Sequence, residues 1–307
     1  MNEELSEDDW RDDVIADEIN EDDWMVDMTL KQTLQVAPLE KFDYNRIDIS
    51  RQSKAMELPL LIGKKEDGSV LVVDLARMPH LLMAGATGQG KTTLLETMLY
   101  GFISRFTPEE IKFVLYDEKR VEFVQWERSP YLTMSVVNEP KEALRVLKVL
   151  SGDMDRRFKI LAAAGCRNIQ EFNNRNAGET IRLPYLVFVA DEIADLMAGE
   201  GKRAIIYLSR LTAMGRAAGI HIVLSTQRPD RKVLTSLLKA NIPGRIAFKV
   251  CSGSDSLQVI DARGAENLNG RGDLLFKSGT DEIVRAQGAY VPYETLFKRI
   301  EATTVKN

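Results

Sequence analysis

Cysteine is almost missing from this chain: 307 residues contain two, Cys166 and Cys251. That is too few for a disulfide framework and points to a reducing compartment. The two are also too isolated to suggest a metal centre or a thiol nucleophile. Histidine occurs twice, and His221 reads as a packed residue at a strand start rather than a ligand. No apolar run approaches the roughly 18–20 residues that span a bilayer. The first ten residues, MNEELSEDDW, are acidic and lack the basic start of a secretory signal. The expectation is therefore a soluble, cytoplasmic protein with no membrane segment. Bases are in deficit too: 41 Lys+Arg face 46 Asp+Glu, a net charge of −5. On its face that figure disfavours a nucleic-acid partner.

The deficit is local. Residues 1–30 hold thirteen acids and one base, a net −12, whereas the remaining residues carry 40 bases and 33 acids, a net +7. An acidic block of this kind is a solvated, disordered tail in most proteins. This one repeats Glu7-Asp8-Asp9-Trp10 as Glu21-Asp22-Asp23-Trp24. The spacing is about four helical turns, so one helix would bring both tryptophans to one face. Two of the chain's three tryptophans lie here, although disordered tails are poor in aromatics. Two readings stand: a disordered tail, or a segment that docks a protein partner or the basic body of the chain itself.

The next stretch, residues 31–78, reads as a linker and a small N-terminal subdomain. Its runs LPLLIG and VLVVDL flank KKEDGS, a hairpin turning at Asp67-Gly68. From residue 79 to 300, short apolar strands alternate with amphipathic stretches, the pattern of a mainly parallel sheet flanked by helices. The strands are HLLMAG (80–85), IKFVLYD (111–117), LVFVAD (186–191), HIVLST (221–226) and RIAFKV (245–250). A long helix is predicted where Leu147, Leu150, Met154, Phe158 and Leu161 recur at steps of three and four, with Pro140 in its first turn. GDLLF and VRAQGAY read as later, antiparallel edge strands, and residues 301–307 as a tail.

Residues 85–92, Gly85-Ala86-Thr87-Gly88-Gln89-Gly90-Lys91-Thr92, spell G-x-x-x-x-G-K-[ST] between an apolar strand and a helical pattern that begins with Thr93. Glycine lets backbone N–H groups curl around phosphates, and the helix N-terminus adds positive partial charge. Lys91 is placed for the β- and γ-phosphates of ATP and Thr92 for Mg²⁺. LVFVAD ends abruptly in Asp191-Glu192, where Asp191 can reach the Mg²⁺ shell and Glu192 can polarise a water for attack on phosphorus. The next strand ends at Gln227, a candidate sensor of the γ-phosphate.

Together MPHLLMAGATGQGKTT, ADEIADLM, GRAAGIHIVLSTQRP, LLKANIPGRIAFKV and DARGAENLNGRGDLLF closely resemble the motor domain of the FtsK/SpoIIIE DNA translocases, over about residues 57–297. The resemblance implies a RecA-like P-loop NTPase of the ASCE type, an α/β fold. It also implies a homo-hexameric ring that pumps double-stranded DNA through its channel. By position, Arg216 matches an arginine expected to act on the neighbouring subunit's ATP; favourable contact with its own helix C-terminus is the rival reading, and Arg210 the rival residue. Asp117 and Lys119 match an Asp-Pro-Lys in which Glu118 here replaces proline. Arg167 and Asn168 match one channel loop, and Arg228, Arg231, Lys232 and Lys239 another, where bases would bind DNA phosphates without reading sequence. The membrane segment and the winged-helix module of many members have no counterpart in these residues. The expectation that follows is a minimal version from a phage, plasmid or other mobile element. The alternatives are a conjugation coupling ATPase and a protein-export ATPase of the type VII secretion kind.

Overall fold

A computed structural model describes residues 41–177 and 182–304. The acidic tail 1–30, residues 31–40 of the expected linker and the last three residues lie outside them. Ten strands form one sheet: β1 (Phe42–Asp43), β2 (Pro59–Lys65), β3 (Val70–Asp74), β4 (His80–Ala84), β5 (Ile111–Tyr116), β6 (Tyr185–Ala190), β7 (Ile220–Thr226), β8 (Gly244–Phe248), β9 (Asp273–Ser278) and β10 (Val284–Tyr290). The order is β3-β2-β10-β9-β8-β4-β7-β6-β5, with β1 paired on β10. The five strands from β8 to β5 are mutually parallel. The wing of β9, β10, β2 and β3 is antiparallel throughout.

The parallel half follows from composition. Strands β4, β6 and β7 are buried at every residue, as expected where helices cover both faces. On one face lie α1 (Lys91–Ile103) and α7 (Tyr293–Thr304), within a core that includes Leu94, Met98, Phe102, Phe113 and Leu296. On the other lie α2 (Pro140–Ala163) and the 26-residue α4 (Ile193–Ala218), sharing a core with Leu147, Met154, Phe188 and Leu208. Pro140 opens α2 as expected, and Leu147, Leu150, Met154 and Leu161 are buried along it, with Phe158 half-buried. Helix α4 bends at Glu200, whose φ of −130° is not helical, and stops at Gly219 with φ +70°. Short helices in the motor are α3 (Ile169–Arg175), α5 (Ser236–Ala240) and α6 (Gly253–Ile260), and a single turn, Ser50–Ser53, precedes β2. No helix among the described residues is long and apolar enough to cross a membrane.

Two expectations change. The Asp67-Gly68 hairpin forms, with Gly68 at φ +84°, but it joins the motor's own sheet through β10. Leu58, Leu60 and Ile62 share a core with α1, so the boundary expected at residue 78 divides neither a layer nor a core. The antiparallel direction of β9 and β10 is as expected, but they are not edges. They lie between β8 and β2, because the hairpin extends the sheet beyond them.

Candidate functional site

Strand β4 runs between β8 and β7 in the parallel half and delivers Gly85 at its C-terminal end. The N–H of Gly85 donates to Thr226 O (3.3 Å) and that of Ala86 to Lys249 O (2.8 Å), so the loop is fastened to the ends of both neighbouring strands. A Cβ on Gly85 would lie 2.6 Å from Phe248 Cβ. Gly90 caps α1 with φ +113° and no side-chain acceptor, which leaves the first N–H groups of the helix for an anion. Gly88 and Lys91–Thr93 face a cleft of about 620 Å³.

The strand ends bring the acids to this loop. Asp191 follows β6, and its Oδ1 accepts from Thr92 Oγ1 at 3.4 Å. Burial first, then the charges of Glu122, Asp117 and Glu192, push its pKa up to about 6. Glu192 is buried and N-caps α4. Its Oε1 accepts from Ala194 N (3.0 Å) and its Oε2 from Gln227 N (2.7 Å). Gln227 Oε1 in turn accepts from Thr87 Oγ1 (2.7 Å). One chain of contacts thus links the phosphate loop, the end of β7 and Glu192. Lys91 is buried, and its Nζ donates to Gly85 O (2.5 Å) and Ala86 O (3.0 Å). Burial pushes its pKa down, while Glu192 and Asp191 oppose that shift. Thr92 and Asp191 are hard oxygen donors of the kind that suits Mg²⁺. Among the described residues no cluster of three or more His, Cys, Asp or Glu could hold a metal alone. That agrees with a cation that keeps waters and substrate oxygens in its shell.

Asp117 is buried at the end of β5 and organises its own loop. Its carboxylate accepts from the N–H groups of Lys119 (3.1 Å), Val121 (2.8 Å) and Glu122 (2.7 Å). Lys119 is exposed.

The two candidate arginines of α4 differ. Arg210 is held by Asp155 (2.6 Å) and Ser151 Oγ (2.5 Å). Arg216 is exposed and makes no ion pair among the described residues. It lies near the N-terminal ends of the parallel strands, opposite the phosphate loop, and shares a recess with Arg77, Arg167 and Asn168. The site of its own chain is out of its reach. Asn168 caps α3 by accepting from Glu171 N (2.9 Å), whereas the Arg167 side chain is exposed. Arg228, Arg231 and Lys232 are exposed on one loop after β7. Lys239 departs from that group: its Nζ pairs with Asp261 Oδ1 at 3.0 Å, beside Arg245 and Lys277. His221 is buried in β7 beside His80 and Tyr185. Burial lowers its pKa to about 4 and that of His80 to about 3. Cys166 is buried and Cys251, just past β8, is exposed.

One wall of the cleft was not anticipated from sequence. Lys41, Arg271, Gly272, Gln287, Gly288 and Tyr290 line it. NGRGD precedes β9 and was visible in the sequence as part of the family pattern, but nothing local tied it to the phosphate loop.

A model of the FtsK/SpoIIIE family matches residues 48–231. The chain belongs to the FtsK/SpoIIIE family. Relatives include the DNA translocase FtsK of Chlamydia pneumoniae, 40% identical over 265 residues, which are 83% of this chain and 33% of that protein. The DNA translocase FtsK of Haemophilus influenzae is 40% identical over 283 residues, 84% of this chain and 53% of that one. The chain spans about a third to a half of the length of these relatives. Among solved structures, the pCW3 conjugation coupling protein TcpA matches with a TM-score of 0.75 and 28% identity over 89% of this chain and 76% of its own. The type VII secretion ATPase EccC of Thermomonospora curvata matches with a TM-score of 0.73 and 25% identity over 91% of this chain and 34% of its own. These matches agree with the expected P-loop α/β architecture.

Proposed function

We propose that this chain is an ATP-driven motor that moves double-stranded DNA, working as a hexameric ring of identical subunits. The observation that carries the ATPase part is that Lys91, Thr92 and Gln227 line one cleft, with Asp191 hydrogen-bonded to Thr92 and Glu192 to the Gln227 N–H. The family and its DNA-translocating relatives support the choice of cargo. In this reading the N–H groups of Gly88–Thr93 bind the phosphates, and Lys91 exchanges its loop carbonyls for phosphate oxygens. Thr92 and Asp191 hold Mg²⁺, which when bound offsets charge on the β- and γ-phosphates. Glu192, oriented through both oxygens, accepts the proton of the attacking water. Gln227, tied to Thr87 and through its N–H to Glu192, links γ-phosphate occupancy to the position of that base. Arg216 is offered to a neighbouring subunit's nucleotide, where a guanidinium stabilises charge on the transferring phosphoryl group. The exposed Arg167, Arg228, Arg231 and Lys232 supply releasable, salt-sensitive DNA contacts. Lys239, committed to Asp261, drops out of that role.

E192Q is expected to bind ATP while turnover falls at least about 100-fold. Full turnover would remove Glu192 as the base. Linear duplex DNA is expected to stimulate hydrolysis at low salt; no stimulation by assembled rings would remove DNA as the cargo. A second reading is a conjugation coupling ATPase, favoured by the match to TcpA over most of both chains. Translocation assays on duplex against single-stranded tracks separate the two.

A further inference from the structure

One wall of the cleft is built from the loop 269–272 and the last residues of β10. Gly270, Arg271 and Gly272 stand in succession at φ +81°, +54° and +96°. Glycine adopts this left-handed backbone freely and arginine does not. The surrounding structure imposes it. Asp273 N donates to Gly270 O (3.1 Å), Gln287 Nε2 to Arg271 O (2.9 Å), and Gly288 N to Gly272 O (2.7 Å). A fourth bond, Gly272 N to Gln89 O at 2.9 Å, clips this loop directly to the phosphate loop. A non-glycine residue held in such a conformation beside a cleft points to a task for its side chain.

The surroundings of that side chain are equally specific. Arg271 is exposed, lines the cleft and makes no ion pair among the described residues. The acid closest to it in sequence, Asp273, is already taken. Arg285 grips it with Nε to Oδ1 at 3.0 Å and Nη2 to Oδ2 at 2.7 Å, and holds Glu66 through Nη1 at 2.8 Å. The same wall carries Tyr290 and the closely packed backbone of Gly272 and Gly288, where a Cβ would meet Gln287 Nε2 at 2.6 Å and Gly272 O at 3.1 Å.

We propose that Arg271 is a nucleotide contact within its own subunit, its guanidinium lying against the face of the nucleobase. This rests on the nucleotide-binding reading of the cleft. A nucleotide whose phosphates occupy Gly88–Thr93 extends its base along the wall that Arg271 and Tyr290 line. A planar, weakly hydrated cation without a carboxylate partner stacks well on a flat base.

The test compares ATP with inorganic tripolyphosphate, both with Mg²⁺, by calorimetry on the full chain. R271G is the informative variant, because it removes the side chain while suiting the left-handed backbone. It is expected to melt at or above the unaltered protein, to lose roughly ten-fold in ATP affinity, and to bind tripolyphosphate unchanged. R271A is expected to show the same split between ligands with a lower melting temperature. Unchanged ATP affinity in R271G overturns the proposal, and so does an equal loss for tripolyphosphate, which would put Arg271 at the phosphates. If the unaltered chain binds neither ligand, the nucleotide reading itself fails, an outcome distinct from failure of the Arg271 contact.

Discussion

Glu96 lines the cleft on α1 and holds its proton to near neutrality. Burial is the main cause and the Glu122 charge the next, and they push its pKa to about 7 against the hydrogen bond from Gln125 Nε2 (2.9 Å). Raised above the ordinary carboxylate value, this group costs the fold stability as pH climbs from about 4.5 through 7. E96Q is therefore expected to stabilise the nucleotide-free protein at pH 8 by about 1–2 kcal/mol, after allowance for solvent screening. The gain should fade toward pH 4.5 in thermal melts, and equal melting at pH 8 would show that the charge is not penalised. Single residues also mark the limits of sequence reading. The phosphate loop was legible because its eight residues are contiguous and sit between an apolar strand and a helix. Asp191 and Glu192 were legible because an apolar strand ends at them. The ion pair of Lys239 was not legible because its partner, Asp261, follows an intervening strand and helix. Asp117 looks the same in sequence whether it caps its own loop or faces a ligand.

Among the elements, the long helix α2 locks α4 in place through two arginines. Arg157, on α2 and almost fully buried, pairs with Asp153 (2.7 Å) and donates to Pro184 O (2.8 Å) and Ala218 O (2.9 Å). It thereby satisfies a carbonyl at the C-terminal end of α4 and another just before β6. Arg210 of α4 reaches back to Asp155 and Ser151. R157A leaves those two buried carbonyls without their donor and is expected to cost about 3 kcal/mol in urea unfolding. A loss under about 1 kcal/mol would mean that water replaces the guanidinium. The helical period of α2 was readable from Leu147 to Leu161. The arginine on its buried face was not, because a periodicity argument assigns charges to the solvent side. The parallel strands were legible from their unbroken apolarity. The places of β9 and β10 were not, since local pattern does not say that an N-terminal hairpin pairs beyond a C-terminal strand.

For the molecule as a whole, the charge division at residue 30 offers a test of the proposed DNA binding. Deletion of residues 1–30 removes a net −12 and is expected to tighten duplex DNA binding at low salt, with the difference shrinking as salt rises. Unchanged affinity in a salt series would eliminate the tail as a competitor for the basic loops. The sheet joins two halves of opposite habit, parallel and antiparallel, and the cleft lies where the phosphate loop of one is clipped to the loop 269–272 of the other. The arrangement of the two thiols has a practical consequence. Cys166 is buried and Cys251 exposed, and Cys251 follows shortly after Lys249, whose carbonyl fastens the phosphate loop. A thiol-reactive fluorophore applied to the unmutated chain would thus attach selectively beside the nucleotide cleft, giving an optical reporter of ligand occupancy without any cysteine having to be added or removed.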